Sequence, residues 1–173
     1  MLAMDFAAER GRSAEVVFAL LLHDVGKGLT PAGEWPSHVA HEERGVPLAK
    51  AVCERVCAPA AFRDLAVKVT RLHLRCHRLM EMKPSSVMSL IEDADLLRKP
   101  ELLDPFLHAC EADYRGRKGL ERRDYPQAQR LRKALAAVQS VQARDIDTAG
   151  LEGKEVGEKL RRARIAAISG MQP

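Results

Sequence analysis

Leu20-Leu21-Leu22-His23-Asp24-Val25-Gly26-Lys27-Gly28 begins as an apolar helix and ends in an imidazole, a carboxylate and two glycines. Upstream, Ser13 can cap that helix and Glu15 stands in its first turn. Val16, Val17, Leu20, Leu21 and Leu22 leave it little polar face, so it is expected at the centre of the fold. Its end therefore delivers His23 and Asp24 together beside a buried wall. Two readings are open for the pair. One divalent ion can take both donors from a single helix end, or a surface histidine sits where the helix dipole favours it.

On either side the chain reads as helices. Residues 1–9 look like the tail of a helix that Gly11 ends. Thr30 to Pro36 is a loop, marked by Pro31 and Pro36. A third helix is expected from Ser37 or His38 to about Val56, and a fourth from Pro59 through the stripe Phe62, Leu65, Ala66, Val69, Leu72 and His73. Pro84 breaks an ambiguous segment, and Ser85 caps a helix carrying Val87, Leu90, Ile91, Ala94 and Asp95. Further helices are expected over about Asp104–Asp113, Pro126–Ala143 and Lys154–Ile168, with a basic loop at Arg115–Gly119 and a turn at Asp147–Gly153. No period-2 alternation, internal repeat or low-complexity tract occurs. The fold class is all-α.

Composition agrees. The 173 residues are 46% hydrophobic but only 4% aromatic, so the core is built of Leu, Ala and Val. No apolar run reaches the roughly 18 residues that cross a bilayer, and Met1–Asp5 lacks the basic start of a secretory signal. Cys53, Cys57, Cys76 and Cys110 form no Cys-x-x-Cys pair and suit reduced thiols, so a cytoplasmic protein is expected. The net charge of +4 is uneven: from Glu111 onward there are 14 Lys/Arg against 9 Asp/Glu. That excess suits a polyanionic partner or a solvated helical surface.

The remaining histidines and acids fall at helical spacings. His38 and His41 are three apart, His73 and His77 four apart, and Glu92 and Asp95 three apart. Taken singly, His38 and His77 read as satisfied structural residues, as does His108. Asp95 follows core-facing Ile91 and Ala94, and a buried carboxylate needs a cation, a strong donor or a metal. For His23, Asp24 and Asp95 as a set, the metal reading prevails. Such a site favours hydrolysis at phosphorus, because a divalent ion polarises a phosphoryl oxygen and lowers the pKa of a bound water. Asp24 could orient that water. Lys27 could neutralise phosphate charge, or simply answer the helix dipole.

The run Ala19–Gly28 resembles the signature of the HD metal-dependent phosphohydrolases. Leu29-Thr30-Pro31, Glu34-Trp35-Pro36, His38–Glu42, Asp95–Pro100, Glu111–Arg117, Tyr125-Pro126-Gln127, Gly153–Gly157 and Arg164–Ile168 extend the likeness. Together they resemble the C-terminal HD domain of bacterial multifunctional CCA-adding tRNA nucleotidyltransferases. The resemblance implies an HD-type helical bundle over residues 1–110 and a basic helical extension over 111–173. It implies 2′,3′-cyclic phosphodiesterase, 2′-nucleotidase and phosphatase activities, with tRNA or nucleotide phosphate esters as substrates and nickel, magnesium or manganese as the ion. His23, Asp24 and Asp95 take the core ligand roles; His41 matches a His-Glu position and His73 a later histidine.

Two departures accompany the likeness. No nucleotidyltransferase head is present, so CCA addition is not expected from this chain. No histidine precedes His23; the family pattern puts one about two residues before Met1, so the chain reads as a piece of a longer product with a weakened first shell. A competing reading follows: a catalytically silent module for tRNA binding or homodimerisation, with Arg115, Arg117, Lys118, Arg122, Arg123, Arg130 and Arg132 on phosphates. A (p)ppGpp or cyclic-nucleotide hydrolase fits His23-Asp24 but leaves Arg98-Lys99-Pro100 and Tyr125-Pro126-Gln127 unexplained.

Overall fold

A computed structural model describes residues 2–147 and 150–171, and no strand occurs among them. Met1, Thr148, Ala149, Gln172 and Pro173 lie outside the described residues, and with them the middle of the turn expected at Asp147–Gly153. The fold is all-α, with helices α1 (Leu2–Glu9), α2 (Ala14–Leu22), α3 (His41–Arg55), α4 (Ala60–His77), α5 (Pro84–Asp93), α6 (Leu103–Arg115), α7 (Pro126–Ser140) and α8 (Gly153–Ser169). No helix among the described residues is long and apolar enough to cross a membrane.

The chain forms two compact units. The first comprises Met1–His77 and Glu101–Tyr125, the second Arg78–Pro100 and Pro126–Pro173. The boundary expected at residue 110 falls inside α6, because Phe106, Leu107, Ala109, Cys110 and Ala112 are one continuous buried stripe of that helix.

In the first unit α4 is the hub, packing on α2, α3 and α6. The stripe Leu65, Ala66, Val69, Leu72 and Cys76 is buried, at one to two residues per turn, as an amphipathic helix requires. Against it lie Val16, Ala19, Leu20 and Leu22 of α2, Ala49 and Cys53 of α3, and the α6 stripe. In the second unit α5, α7 and α8 pack on one another over Val87, Leu90, Ile91, Leu131, Leu135, Val138 and Ile168.

Several element boundaries differ from the sequence expectation, α6 running on to Arg115 and α7 stopping at Ser140, and three have a plain backbone cause. Helix α3 starts at His41 rather than Ser37 or His38, because His38 (φ 47°) and Ala40 (φ 56°) are in the left-handed region and cannot continue a right-handed helix. Pro84 is the first residue of α5 rather than a break before it, a position where its missing N–H costs nothing. Helix α5 stops at Asp93, and Asp95 (φ 62°) lies past its end. There the Asp95 N–H bonds the Glu92 carbonyl (2.9 Å) and the Leu96 N–H bonds the Ile91 carbonyl (3.0 Å). That pair of bonds is the Schellman termination, which demands a left-handed residue.

Candidate metal centre

The centre is built where α2, α3 and α4 meet. Helix α2 runs out at Leu22, and a tight 3-10 turn, Val25–Leu29, lies against α3. Gly26 makes that approach possible: a Cβ there would overlap the His41 carbonyl oxygen and the Gly45 amide. The seated turn brings the carboxylate of Asp24 to the first residue of α3, His41, and to His73 of α4. One donor atom from each of Asp24, His41 and His73 lies within 4.8 Å of the other two.

Three imidazoles are oriented in one way. His23 Nδ1 lies 2.7 Å from the Leu20 carbonyl, His41 Nδ1 2.9 Å from the His38 carbonyl, and His73 Nδ1 2.9 Å from that of Val69. A carbonyl only accepts, so each Nδ1 carries the proton, and Nε2 of each neutral ring is a lone pair. Those lone pairs face carboxylate oxygens. His41 Nε2 is 3.0 Å and His73 Nε2 3.8 Å from Asp24 Oδ1, and His23 Nε2 is 3.3 Å from Asp24 Oδ2. His23 Nε2, His41 Nε2 and Asp24 Oδ1 are buried and make no hydrogen bond. Lone pair against anion is repulsive unless a cation or a hydrogen-bond donor lies between them, and a divalent ion satisfies all of these atoms at once. Pinning the distal ring nitrogen on a backbone carbonyl is also the way metal-ligating histidines are held.

The donor set thus fits a divalent cation, with nitrogen and oxygen ligands of the borderline type. His41 and His73 are 5% and 1% exposed, whereas the Asp24 side chain is 33% exposed, so the group opens to solvent on the Asp24 side. An open side is what separates a reactive metal site from a structural one.

Behind the group stands Asp113, on the inner face of α6. Its Oδ1 is 3.3 Å from His23 Nε2, its Oδ2 accepts from His77 Nε2 at 2.8 Å, and Arg117 Nη2 donates to Oδ1 at 3.3 Å. Nδ1 of His77 is 3.0 Å from the Tyr125 hydroxyl. Burial works against ionising Asp113, but the His23 and His77 contacts outweigh it and hold the carboxyl far below its usual range. Asp24 is depressed for the same reason, burial being overcome by His23 and Lys27. Burial also opposes charge on His23, and the two carboxylates reverse this and push its pKa up to about 10. In the absence of a metal, a proton on His23 supplies the missing cation. His73 is driven the other way, to about 4, by burial and by the positive His23.

Several sequence candidates are accounted for. His23, Asp24, His41 and His73 are brought together. The Lys27 ammonium pairs with Asp24 Oδ2. Asp95 is not in the Asp24–His41–His73 group: it belongs to the second unit, where Arg98 clamps both its oxygens at 2.7 and 3.0 Å. His38 contributes its backbone carbonyl to His41 rather than its ring, and His108 lies 3.0 Å from Arg12 Nη1. Of the basic candidates, Arg115 is held by Glu111 (2.6 Å) and the Glu121 carbonyl (2.8 Å), and Arg117 by Asp113, while Lys118, Arg122 and Arg123 are exposed. Sequence reasoning passed over Asp113 as a site residue. The available signal was its place one turn after Cys110 on the stripe of Phe106 and Ala109, the kind of evidence that was applied to Asp95.

Fold and site together define an all-helical domain that gathers a His-Asp pair and further histidines into a group able to hold a divalent ion. The chain belongs to the HD-domain family, whose pattern it matches over residues 1–168. It is similar to the Multifunctional CCA protein of Halorhodospira halophila, at 52% identity over 98% of this chain and 41% of that protein. The Multifunctional CCA proteins of Alkalilimnicola ehrlichii and Thioalkalivibrio sulfidiphilus are 48% and 46% identical, each over 99% of this chain and 42% of its own length. The chain therefore spans about two fifths of the curated relatives it matches. No solved structure matches it.

Proposed function

We propose that this chain is a divalent-metal-dependent phosphohydrolase acting on nucleotide or RNA-terminal phosphate esters: a 2′,3′-cyclic phosphodiesterase, 2′-nucleotidase and phosphatase. The observation that carries the reading is the convergence of one donor atom from each of Asp24, His41 and His73, with His41 Nε2 and Asp24 Oδ1 buried and unbonded, an arrangement that a divalent cation satisfies. Asp24, His41 and His73 would hold the ion, with His23 beside them. A bound divalent ion supplies polarisation of the phosphoryl oxygen and a water of lowered pKa.

The chain's own groups supply the rest. Lys27, on the open side with Asp24, neutralises incoming phosphate charge while staying within reach of its carboxylate partner. Asp113 faces His23 Nε2 with one oxygen and, through His77 and Tyr125, ties α6 to the end of α4 with the other. The likeness to CCA-adding tRNA nucleotidyltransferases favours a tRNA-processing setting, and the exposed Lys118, Arg122 and Arg123 are suited to contact RNA phosphates. These three lie in the same unit as the metal group. A silent RNA-binding role is the second reading, carried by that exposed basic loop alone.

The test is hydrolysis of 2′,3′-cyclic AMP by chelator-stripped protein supplied with Ni²⁺, Mn²⁺ or Mg²⁺. Turnover should require added metal and fall by more than about 100-fold in Asp24→Ala, since a direct ligand matters more than the groups supporting it. Turnover without metal, or an Asp24→Ala variant of full activity, would refute the reading.

A further inference from the structure

Trp35 is the only tryptophan in a chain with few aromatics, and it is 63% exposed. It lies on the loop between two residues of the metal group, Asp24 and His41. The loop is not slack. Arg44 of α3 clamps the Glu34 carboxylate at 2.9 and 3.4 Å, the His38 N–H bonds the Glu34 carbonyl at 3.0 Å, and the indole N–H donates to the Thr30 carbonyl at 3.1 Å. Thr30 is itself buried.

These contacts spend the polar edge of the indole on its own loop and leave its apolar body in water. Fixing a large ring without burying it gains little stability, because the hydrophobic gain comes from removing its surface from solvent. The ring is, moreover, linked to the metal group. The His38 ring lies 6.2 Å from Trp35, tilted by 41°, and the His38 carbonyl is the acceptor that orients His41. His38 Nδ1 is buried with no hydrogen-bond partner.

We propose that Trp35, with His38 beside it, is a stacking platform for the nucleobase of the ester held at Asp24, His41 and His73. The proposal rests on the phosphohydrolase reading and names the group that makes that site prefer nucleoside phosphates to phosphates of aliphatic alcohols. Stacking on an indole is tolerant of base identity because every base has a π-face, so little discrimination among the four bases is expected.

Because the ring is the sole tryptophan, its emission reports the site directly. Metal-free protein in chelator should show saturable quenching by 2′-AMP and none by ribose 5-phosphate or inorganic phosphate. A short RNA that quenches at lower concentration than 2′-AMP would assign the platform to an RNA end, and equal potency would assign it to a mononucleotide. With metal present, Trp35→Ala should raise KM for 2′,3′-cyclic AMP about tenfold with a smaller change in kcat, and affect KM for glycerol 2-phosphate several-fold less. Trp35→Phe, which keeps a ring, should stay within about threefold of wild type. Quenching without any turnover would sink the phosphohydrolase reading and leave the platform standing. Turnover with no quenching, and a Trp35→Ala KM equal to wild type, would overturn the platform and leave the phosphohydrolase standing.

Discussion

Asp95 and Asp113 each close an apolar helical stripe, the first after Ile91 and Ala94, the second after Ala109 and Cys110. In the fold they part. Asp113 is inside α6, 5% exposed, and touches His23, His77 and Arg117. Asp95 is past the end of α5 in a left-handed conformation, clamped by the exposed guanidinium of Arg98. Both carboxylates have a cationic partner, so the physical demand was the same and was met twice. What differs is the supply. Each has an arginine a turn further on that reaches back, Arg117 for Asp113 and Arg98 for Asp95, but Asp113 also faces His23 and His77 from two other segments. A stripe-ending aspartate predicts a cation beside it without predicting which one.

If the first unit is organised for a metal and the second for helix termination, the largest effect should come from unseating the turn that carries Asp24. Gly26→Ala puts a Cβ into the backbone of His41 and Gly45, where nothing flexible can yield. A loss of about 3 kcal/mol in urea unfolding is expected, with loss of bound metal. Gly28→Ala, which meets nothing within 4 Å, is the control and should keep its metal. Equal behaviour of the two variants would mean that the turn is not what places Asp24.

Next in size is Asp113→Asn. It removes the charge that faces His23 and accepts from His77 while keeping the shape, and should weaken metal binding by about 10- to 100-fold, as loss of a supporting group does. Calorimetric titration with Mn²⁺ measures it. An unchanged affinity would separate Asp113 from the centre and undo its contrast with Asp95.

The all-α class, the central apolar helix and the His23-Asp24 pair were legible because they depend on local periodicity and residue type. The membership of His41 and His73 came from resemblance, since spacing could only place His38 with His41 and His73 with His77 on shared faces. Two features were illegible for physical reasons. The left-handed backbone at Ala40 goes against the preference of alanine, and at Asp95 it is a conformation that aspartate tolerates but does not announce, so neither the start of α3 nor the end of α5 is marked locally. The choice of Asp113 as partner of His23 depends on α2 and α6 meeting across some ninety residues of sequence, which no local pattern encodes.

The charge states give a smaller, continuous test, made on metal-free protein. His23 is raised to about 10 against an ordinary value of 6.5, so its contribution to stability is complete below pH 6.5 and is lost as pH rises through 10. His73 is lowered to about 4, so the unfolded chain takes up its proton first and stability falls as pH drops from 6.5 toward 4. Thermal unfolding should therefore be highest near pH 6.5 and decline on both sides. Asp113→Asn should flatten the alkaline limb in particular, because it removes one of the two carboxylates that hold the proton on His23. Metal binding, which the positive charge on His23 opposes, should strengthen as pH rises toward 10. An alkaline limb as steep in Asp113→Asn as in wild type would detach His23 from Asp113.

The least effect on the centre should come from Asp95, and here the contrast with Asp113 is sharpest. Its backbone does the terminating work through the N–H groups of Asp95 and Leu96, so the side chain is secondary and the conformation is not. Asp95→Gly relieves the left-handed strain while giving up the Arg98 clamp, and should leave the melting temperature close to wild type. Asp95→Val keeps a Cβ and adds branching at φ 62°, and should cost about 1–2 kcal/mol in urea unfolding. Neither change should alter Mn²⁺ affinity. If Asp95→Gly lost metal as Asp113→Asn is expected to, Asp95 would be a ligand after all, and the two stripe-ending aspartates would share one role.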